Sequence, residues 1–159
     1  MLDKVKPIPE GYHSVTPYLI VQGAADAIAF YHQAFGATEL FRMPDPDGKI
    51  GHAEIKIGDS PIMLADEHPQ MNFRSPHAFG GTPVSLMIYM EDVDTVVDRA
   101  VFAGAKLVKP VQDQFYGDRS GTIIDPFGHQ WTIATHTEDV APEEMNRRME
   151  AEMKKSTAA

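Results

Sequence analysis

Cysteine is absent from the 159 residues of this chain, which excludes disulfide bonds, thiolate nucleophiles and zinc sites with cysteine ligands. Histidine, aspartate and glutamate are therefore the metal ligands that remain. Basic residues are also scarce, because 14 Lys and Arg stand against 23 Asp and Glu, a formal net charge of −9. This balance argues against a nucleic-acid partner, which needs clustered positive charge, and leaves a neutral or cationic small ligand.

Long apolar runs are missing as well. No stretch approaches the roughly 18 residues of a membrane span, and residues 1–9 lack the apolar segment of a signal peptide. We therefore expect a cytoplasmic protein that does not bind membranes. With 43% apolar and 23% charged residues, the composition is that of one globular domain. Twelve glycines and twelve prolines favour many short elements joined by turns over a helical bundle.

One pattern of elements occurs twice along the chain. Each copy begins with a strand-like run, 16–21 or 85–90, continues with apolar residues at helical spacing and ends with three short strands. Gly36 and Gly104, which follow the two predicted helices, are 68 residues apart. Neither copy alone has enough residues for a sufficient core, so we expect the two to complete one domain together.

The repeat sets the predicted boundaries. Module one covers 14–66, module two covers 83–137, and the whole domain covers 12–140. The connector 67–82 is long for a compact domain, and it is open to two interpretations, a lid or binding loop and a plain crossover linker. Residues 141–159 form a predicted C-terminal helical tail with methionines every four residues at 145, 149 and 153. We expect this stripe to pack on its own domain or on a partner subunit.

Strands alternate their side chains between two faces, so each predicted strand has a core face and an opposite face. The core face is apolar throughout: Leu19, Val21, Ile55, Ile57, Ile62, Leu64, Leu86, Ile88, Trp131 and Ile133. The opposite face is mixed: Thr16, Tyr18, His52, Glu54, Lys56, Met63, Ser85, Met87, Tyr89, Thr132 and Ala134. Such a mixture is typical of a concave ligand pocket. Plain solvent exposure is the alternative, because an antiparallel sheet can have one wet side.

Five segments carry a family resemblance when taken together: 15–19, 29–31 with 35–37, 47–54, 117–119 and 125–131. They resemble the vicinal oxygen chelate superfamily, the glyoxalase/bleomycin resistance/dioxygenase group, and within it the PhnB-like branch. The resemblance implies an α+β fold in which two tandem βαβββ modules form a cupped eight-stranded mixed sheet. It also implies a small organic ligand in the cup and commonly a homodimer, but it does not by itself give a reaction.

In metal-using members of this superfamily, His and Glu side chains from the first and last strand of each module hold a divalent ion. The resemblance places four uncharged residues at these positions: Thr16, Met63, Ser85 and Thr132. A thioether and three hydroxyls provide neither the charge nor the nitrogen and oxygen ligands that divalent ions prefer. We therefore expect no metal in the standard site and no cofactor.

His52 and Glu54 are the predicted catalytic pair, because residues two apart on a strand share a face. His52 would act as a general acid and base near neutral pH, and Glu54 would orient it or bind a cationic group. The alternative interpretation is that His52, Glu54 and Lys56 form the solvent-exposed face of an amphipathic strand and have no catalytic role. A further alternative is an unconventional metal site that combines Glu54 with His68, His77 and His136.

The other predicted ligand-binding residues lie on the mixed face: Thr16, Tyr18, Met63, Ser85, Met87, Tyr89 and Thr132. Arg119 joins them as a candidate for an anionic ligand group. A second role for Arg119 stays open, a buried pair with Asp118 that fixes the loop.

Three functions are compatible with this sequence. The first is a binding or sequestration protein of the bleomycin-resistance kind, which the net negative charge directs toward cationic ligands. The second is a lyase, isomerase or dioxygenase that uses His52 and Glu54 or an unconventional metal site. The third is an interaction module with an empty cup.

Overall fold

Eight strands and four α-helices are present in the computed structural model, which describes residues 5–159. The strands are β1 (Tyr18–Val21), β2 (Thr38–Pro44), β3 (Ile50–Ile57), β4 (Ser60–Asp66), β5 (Ser85–Tyr89), β6 (Lys106–Asp113), β7 (Asp118–Ile124) and β8 (Gln130–His136). The helices are α1 (Ala24–Phe35), α2 (Pro76–Phe79), α3 (Val93–Phe102) and α4 (Pro142–Thr157), and a 3-10 turn covers Pro69–Met71. No helix within residues 5–159 is long and apolar enough to cross a membrane.

The strands form two four-stranded sheets, one in each of two compact units. The first unit comprises residues 5–82 with Pro126–Gly128, and its strand order is β1-β4-β3-β2. The second comprises Pro83–Asp125 with His129–Ala159, and its order is β5-β8-β7-β6. In both sheets the first strand of the module runs parallel to the last, and the other pairs are antiparallel. The prediction of an α+β fold built from two tandem βαβββ modules is confirmed.

Each module's helix begins and ends at residues suited to these positions. Asp92 caps the start of α3 by accepting a hydrogen bond from the Thr95 backbone N–H at 3.1 Å. Gly36 ends α1 in the left-handed conformation at φ 68°, which glycine adopts without strain. At the end of α3, Ala103 is in the right-handed conformation, and Gly104 follows it with φ 117°.

The last strand of each module also holds the start of that module's helix. Asp66 on β4 accepts hydrogen bonds from the backbone N–H groups of Gly23 at 2.8 Å and Ala24 at 2.9 Å through one oxygen. Its other oxygen accepts from the N–H of Ile50 at 2.8 Å. Thr135, at the corresponding place on β8, accepts from the N–H of Val93 at 3.0 Å. The bonds from Gly23, Ala24 and Val93 give an acceptor to N–H groups at the helix starts, which have no partner within the helix.

Most of the predicted core is buried. Eight of the ten residues expected on the core face are buried: Leu19, Val21, Ile55, Ile57, Ile62, Leu64, Trp131 and Ile133. Leu86 and Ile88 are only half-buried, because α3 packs mainly over β6, β7 and β8 and leaves the edge strand β5 less covered. Ala134, which was expected on the mixed face, is fully buried because it is a small side chain between its cross-strand neighbours Ser120 and Tyr89.

The predicted C-terminal helix is present as α4, and polar contacts hold it in the second unit. Arg148 bonds to both carboxylate oxygens of Glu138 at 2.8 and 2.9 Å, and to Glu144 at 2.8 Å. The methionine stripe is half-buried at residue 145 and exposed at 149 and 153. Its packing on a partner subunit, and the homodimer itself, stay predictions.

The helix-anchoring bonds can be tested by denaturation. We expect Asp66→Ala to lower the free energy of unfolding by about 2–3 kcal/mol, since three backbone N–H groups lose their acceptor. Thr135→Ala should cost about 1 kcal/mol for the same reason. Urea titration followed by Trp131 fluorescence measures both. The control is Asp98→Ala on the exposed side of α3, and an Asp66→Ala effect as small as that of the control would contradict this account.

Candidate functional site

The mixed face of the first sheet carries a row of four side chains, set by the strand register. Phe41 on β2 lies opposite Glu54 on β3, Glu54 lies opposite Met63 on β4, and Met63 lies opposite Tyr18 on β1. His52 shares this face with Glu54. Three of the predicted site residues, Tyr18, Glu54 and Met63, therefore lie side by side across the sheet.

A hydrogen-bonded chain, which we call the Glu54 network, connects four side chains on this face. One carboxylate oxygen of Glu54 accepts a bond from the hydroxyl of Tyr12. The other lies 3.1 Å from His52 Nε2, and His52 Nδ1 lies 2.8 Å from the hydroxyl oxygen of Tyr18. The predicted pair thus lies together. Tyr12 could not be predicted from the sequence pattern, because it precedes β1 and belongs to no periodic segment.

Electrostatics fix the protonation of Glu54 and of the two tyrosines of the Glu54 network near neutral pH. The Tyr12 hydrogen bond, aided by His52, lowers the pKa of Glu54, which is therefore ionised. The same bond, together with burial, raises the pKa of Tyr12 to about 12. Burial and the nearby Glu54 charge raise the pKa of Tyr18. With both tyrosines protonated and the carboxylate charged, Tyr12 donates to Glu54, and the His52 tautomer that carries its proton on Nε2 donates to Glu54 and accepts at Nδ1 from Tyr18.

Aromatic rings lie around His52, the residue that contacts this carboxylate. The ring centroid of Tyr18 lies 5.5 Å from that of His52 and 6.3 Å from that of Phe73 in the connector. The Phe41 ring lies 6.4 Å from His52. Tyr18 is 44% exposed and Phe41 is 48% exposed, so both rings are open to a ligand. An ionised carboxylate among accessible ring faces suits an organic cation with an apolar body.

The corresponding face of the second sheet carries hydroxyl groups, a lysine and a thioether. One row of paired residues crosses this face from β6 to β5: Lys109, Thr122, Thr132 and Met87. The predicted residues Ser85, Met87 and Tyr89 are exposed along β5, and Thr132 is half-buried. The hydroxyl oxygens of Thr122 and Thr132 are 3.2 Å apart.

Asp118 forms its hydrogen bonds with residues of this face. It does not pair with Arg119, which was one of the two roles left open for Arg119. Its two oxygens lie 2.7 Å from His136 Nδ1 and 3.0 Å from the Tyr89 hydroxyl oxygen. Asp118 and Asp139 raise the pKa of His136. The expected Asp118 and Arg119 pair is wrong because neighbouring residues on a strand point to opposite faces.

Arg119 lies on the helix-covered side of the second sheet. Its guanidinium donates two bonds to Asp94 on α3, at 2.8 and 2.9 Å, and one to Asp113 at 3.2 Å. Arg119 is therefore placed away from Met87, Tyr89 and Thr132, with which it was grouped as a ligand-binding residue. Its donors already have carboxylate partners.

Comparison with known proteins gives the family to which this fold belongs. The family model for the glyoxalase/bleomycin resistance protein/dioxygenase superfamily matches residues 11–133. The chain belongs to this superfamily. An uncharacterized protein of Mycobacterium tuberculosis strain H37Rv is 42% identical over 142 residues, which cover 87% of this chain and 84% of that protein.

Solved structures of the superfamily share the fold. TioX from Micromonospora sp. ML1 is 27% identical with a TM-score of 0.62, over 78% of this chain and 98% of TioX. The PhnB protein from Bacillus cereus is 20% identical with a TM-score of 0.60, over 77% of this chain and 99% of that chain. The resemblance to this superfamily, with PhnB-like neighbours, is confirmed.

The divalent metal of other superfamily members does not fit the residues at its expected positions. Thr16 precedes β1, and the remaining positions hold a thioether and two hydroxyls: Met63, Ser85 and Thr132. Within residues 5–159, no group of three His, Asp or Glu side chains is placed to hold a metal ion. The unconventional set is not assembled either, because His77 Nε2 bonds to the Pro126 carbonyl at 3.1 Å and His136 bonds to two aspartates.

The coupling between Tyr12 and Glu54 predicts a titration. In Glu54→Gln, we expect the pKa of Tyr12 to fall from about 12 toward 10, since the charged acceptor is lost. Carbon-13 NMR of the tyrosine ring carbons measures this value.

The lowered pKa of Glu54 also predicts how stability depends on pH. Ionised Glu54 stabilises the folded chain at pH values above its pKa in the unfolded chain, and this stabilisation is lost as the pH falls through its pKa in the folded chain. Glu54→Gln should therefore lose less stability in acid than the parent chain.

Glu39→Gln on β2 is the matched control, because it removes the same charge from the same sheet and should leave Tyr12 unchanged. A Tyr12 pKa that stays near 12 in Glu54→Gln would show that Glu54 does not set it.

Proposed function

We propose that this protein binds a small organic cation on the mixed face of its first sheet, and that it does so without a divalent metal. The observation that carries the proposal is the ionised Glu54 carboxylate, held in the Glu54 network beside the exposed rings of Tyr18 and Phe41. A carboxylate neutralises the ligand charge, and ring faces attract the same charge through their quadrupoles. This function corresponds to the binding or sequestration role expected from the sequence.

The Glu54 network prepares the site before the ligand arrives. Tyr12 and His52 hold the two oxygens of Glu54, and the Glu54 side chain is only 22% exposed. A carboxylate that is already oriented loses little conformational freedom on binding. The overall charge of −9 adds a long-range attraction for cations, which salt weakens.

The bonding of His52 favours ligand binding over proton transfer. A general base needs a free lone pair within reach of the proton that it removes. Both ring nitrogens of His52 have partners, Glu54 at 3.1 Å and Tyr18 at 2.8 Å. A lyase, isomerase or dioxygenase that uses His52 itself as the base requires one of these bonds to break in every cycle, whereas binding of a cation leaves the network intact.

Isothermal titration calorimetry with phenyltrimethylammonium tests the proposal, with benzyl alcohol as the neutral aromatic comparison. We expect saturable binding of the cation that weakens with salt, weaker binding of benzyl alcohol, and no effect of a chelator. Glu54→Gln should reduce the affinity for the cation about tenfold, which is the size expected for one partly buried charge.

Glu39→Gln removes the same unit of charge from β2, outside the Glu54 network, and is expected to keep the parent affinity. Equal affinity for the cation in Glu54→Gln and in the parent chain would refute the proposed site. Preference for benzyl alcohol over the cation would also refute it.

A further inference from the structure

Both oxygens of Glu54 and both ring nitrogens of His52 already have partners on the mixed face of the first sheet. Glu54 accepts from the Tyr12 hydroxyl and lies 3.1 Å from His52 Nε2. His52 Nδ1 lies 2.8 Å from the Tyr18 hydroxyl oxygen. A primary ammonium group and a guanidinium carry several N–H donors, and each donor needs an acceptor. A ligand that enters with such a group therefore competes with the bonds of the Glu54 network.

Lys56 shows how a primary ammonium group behaves beside this network. It follows Glu54 by two residues on β3, so the two side chains share a face. Lys56 nevertheless forms no ion pair with Glu54 or with any other residue of the described range 5–159. The lysine ammonium is compact and strongly hydrated, and losing that water is unfavourable without direct acceptors. The chain's own ammonium group thus leaves this carboxylate to Tyr12 and His52.

Three exposed aromatic rings offer a contact of another kind. The ring centroids of Phe41 and Tyr18 lie 6.4 and 5.5 Å from that of His52. The Phe73 centroid lies 6.3 Å from that of Tyr18. The ring planes are tilted by 41–54° in these contacts, so no ring is stacked flat on its neighbour. A ring face attracts a cation through its quadrupole, and it needs no N–H group to do so.

Two methionines extend the apolar surroundings of the network. Met43 pairs with His52 and Met63 pairs with Glu54 in the strand register, so both thioethers lie on this face. Met43 is exposed, and Met63 is half-buried. Thioether side chains adapt to apolar groups of irregular shape. Methyl groups on a ligand nitrogen gain from burial here, whereas N–H groups lose water that nothing replaces.

We propose that the cationic group of the ligand is a quaternary ammonium, a nitrogen with four carbon substituents and no N–H. This inference rests on the proposed function and specifies its ligand class. A quaternary ammonium needs no acceptor, so it is attracted by the ring faces and by the charge of Glu54 while the bonds to Tyr12 and His52 stay in place. A primary ammonium or a guanidinium of the same charge loses its hydration without regaining hydrogen bonds.

Isothermal titration calorimetry with benzyltrimethylammonium and benzylammonium tests this inference. The two probes carry the same ring and, near neutral pH, the same charge, and they differ in whether the nitrogen bears methyl groups or hydrogens. We expect the parent chain to bind benzyltrimethylammonium about tenfold more tightly.

Two variants test which side chains set the preference. Tyr12→Phe keeps the ring but frees one oxygen of Glu54, so benzylammonium should bind about threefold more tightly while benzyltrimethylammonium changes little. Phe41→Leu removes an exposed ring, and it should weaken benzyltrimethylammonium about threefold and benzylammonium less. The matched control is Phe79→Leu, which removes an exposed ring from α2, outside the strands of this face, and should bind both probes like the parent chain.

The outcomes separate this inference from the proposed function. Equal affinity for the two probes, or tighter binding of benzylammonium, overturns the quaternary ammonium and leaves a Glu54-dependent cation site in place. An absence of binding by both probes refutes the proposed function, and this inference with it. A tenfold preference that is the same in Tyr12→Phe, Phe41→Leu and the parent chain overturns the assignment to these residues. Circular dichroism of each variant confirms that it is folded before it is titrated.

Discussion

The alternation of side chains along the strands is the constraint on which both faces of each sheet depend. One face is apolar and is covered by a helix, which fixes the register and leaves the opposite face to carry polar groups. His52 and Glu54 share a face for this reason, and Asp118 and Arg119 do not. A bulge in β6 changes the alternation locally and adds Gln112 to the face that holds Lys109.

The two modules keep one framework but differ in their chemistry. Asp66 and Thr135 hold the two helices at corresponding places, so the framework is the same in both copies. On the mixed faces, the first sheet presents an ionised carboxylate among rings, and the second presents hydroxyls and a lysine. In a superfamily whose fold serves many functions, the two modules thus differ in their side-chain chemistry and not in their fold.

Much of the fold could be predicted from the sequence, because hydrophobic period and turn residues report on local structure. The repeat, the helix positions and most of the core follow from that signal, and Leu86 and Ile88 differ only because their strand is at an edge. The Glu54 network could be predicted in part, since His52 and Glu54 are two residues apart. Tyr12, the Asp118–His136 pair and the β6 bulge depend on contacts between distant segments, which no local pattern encodes.

We propose that this superfamily member binds its ligand through the ionised Glu54 network, whereas metal-using members rely on a divalent ion. The most direct test is equilibrium dialysis of the purified protein against zinc, nickel, manganese and iron(II), followed by elemental analysis. The account predicts substoichiometric metal and an unchanged affinity for phenyltrimethylammonium after dialysis. A fully occupied divalent ion held at Thr16, Met63, Ser85 and Thr132 would contradict it.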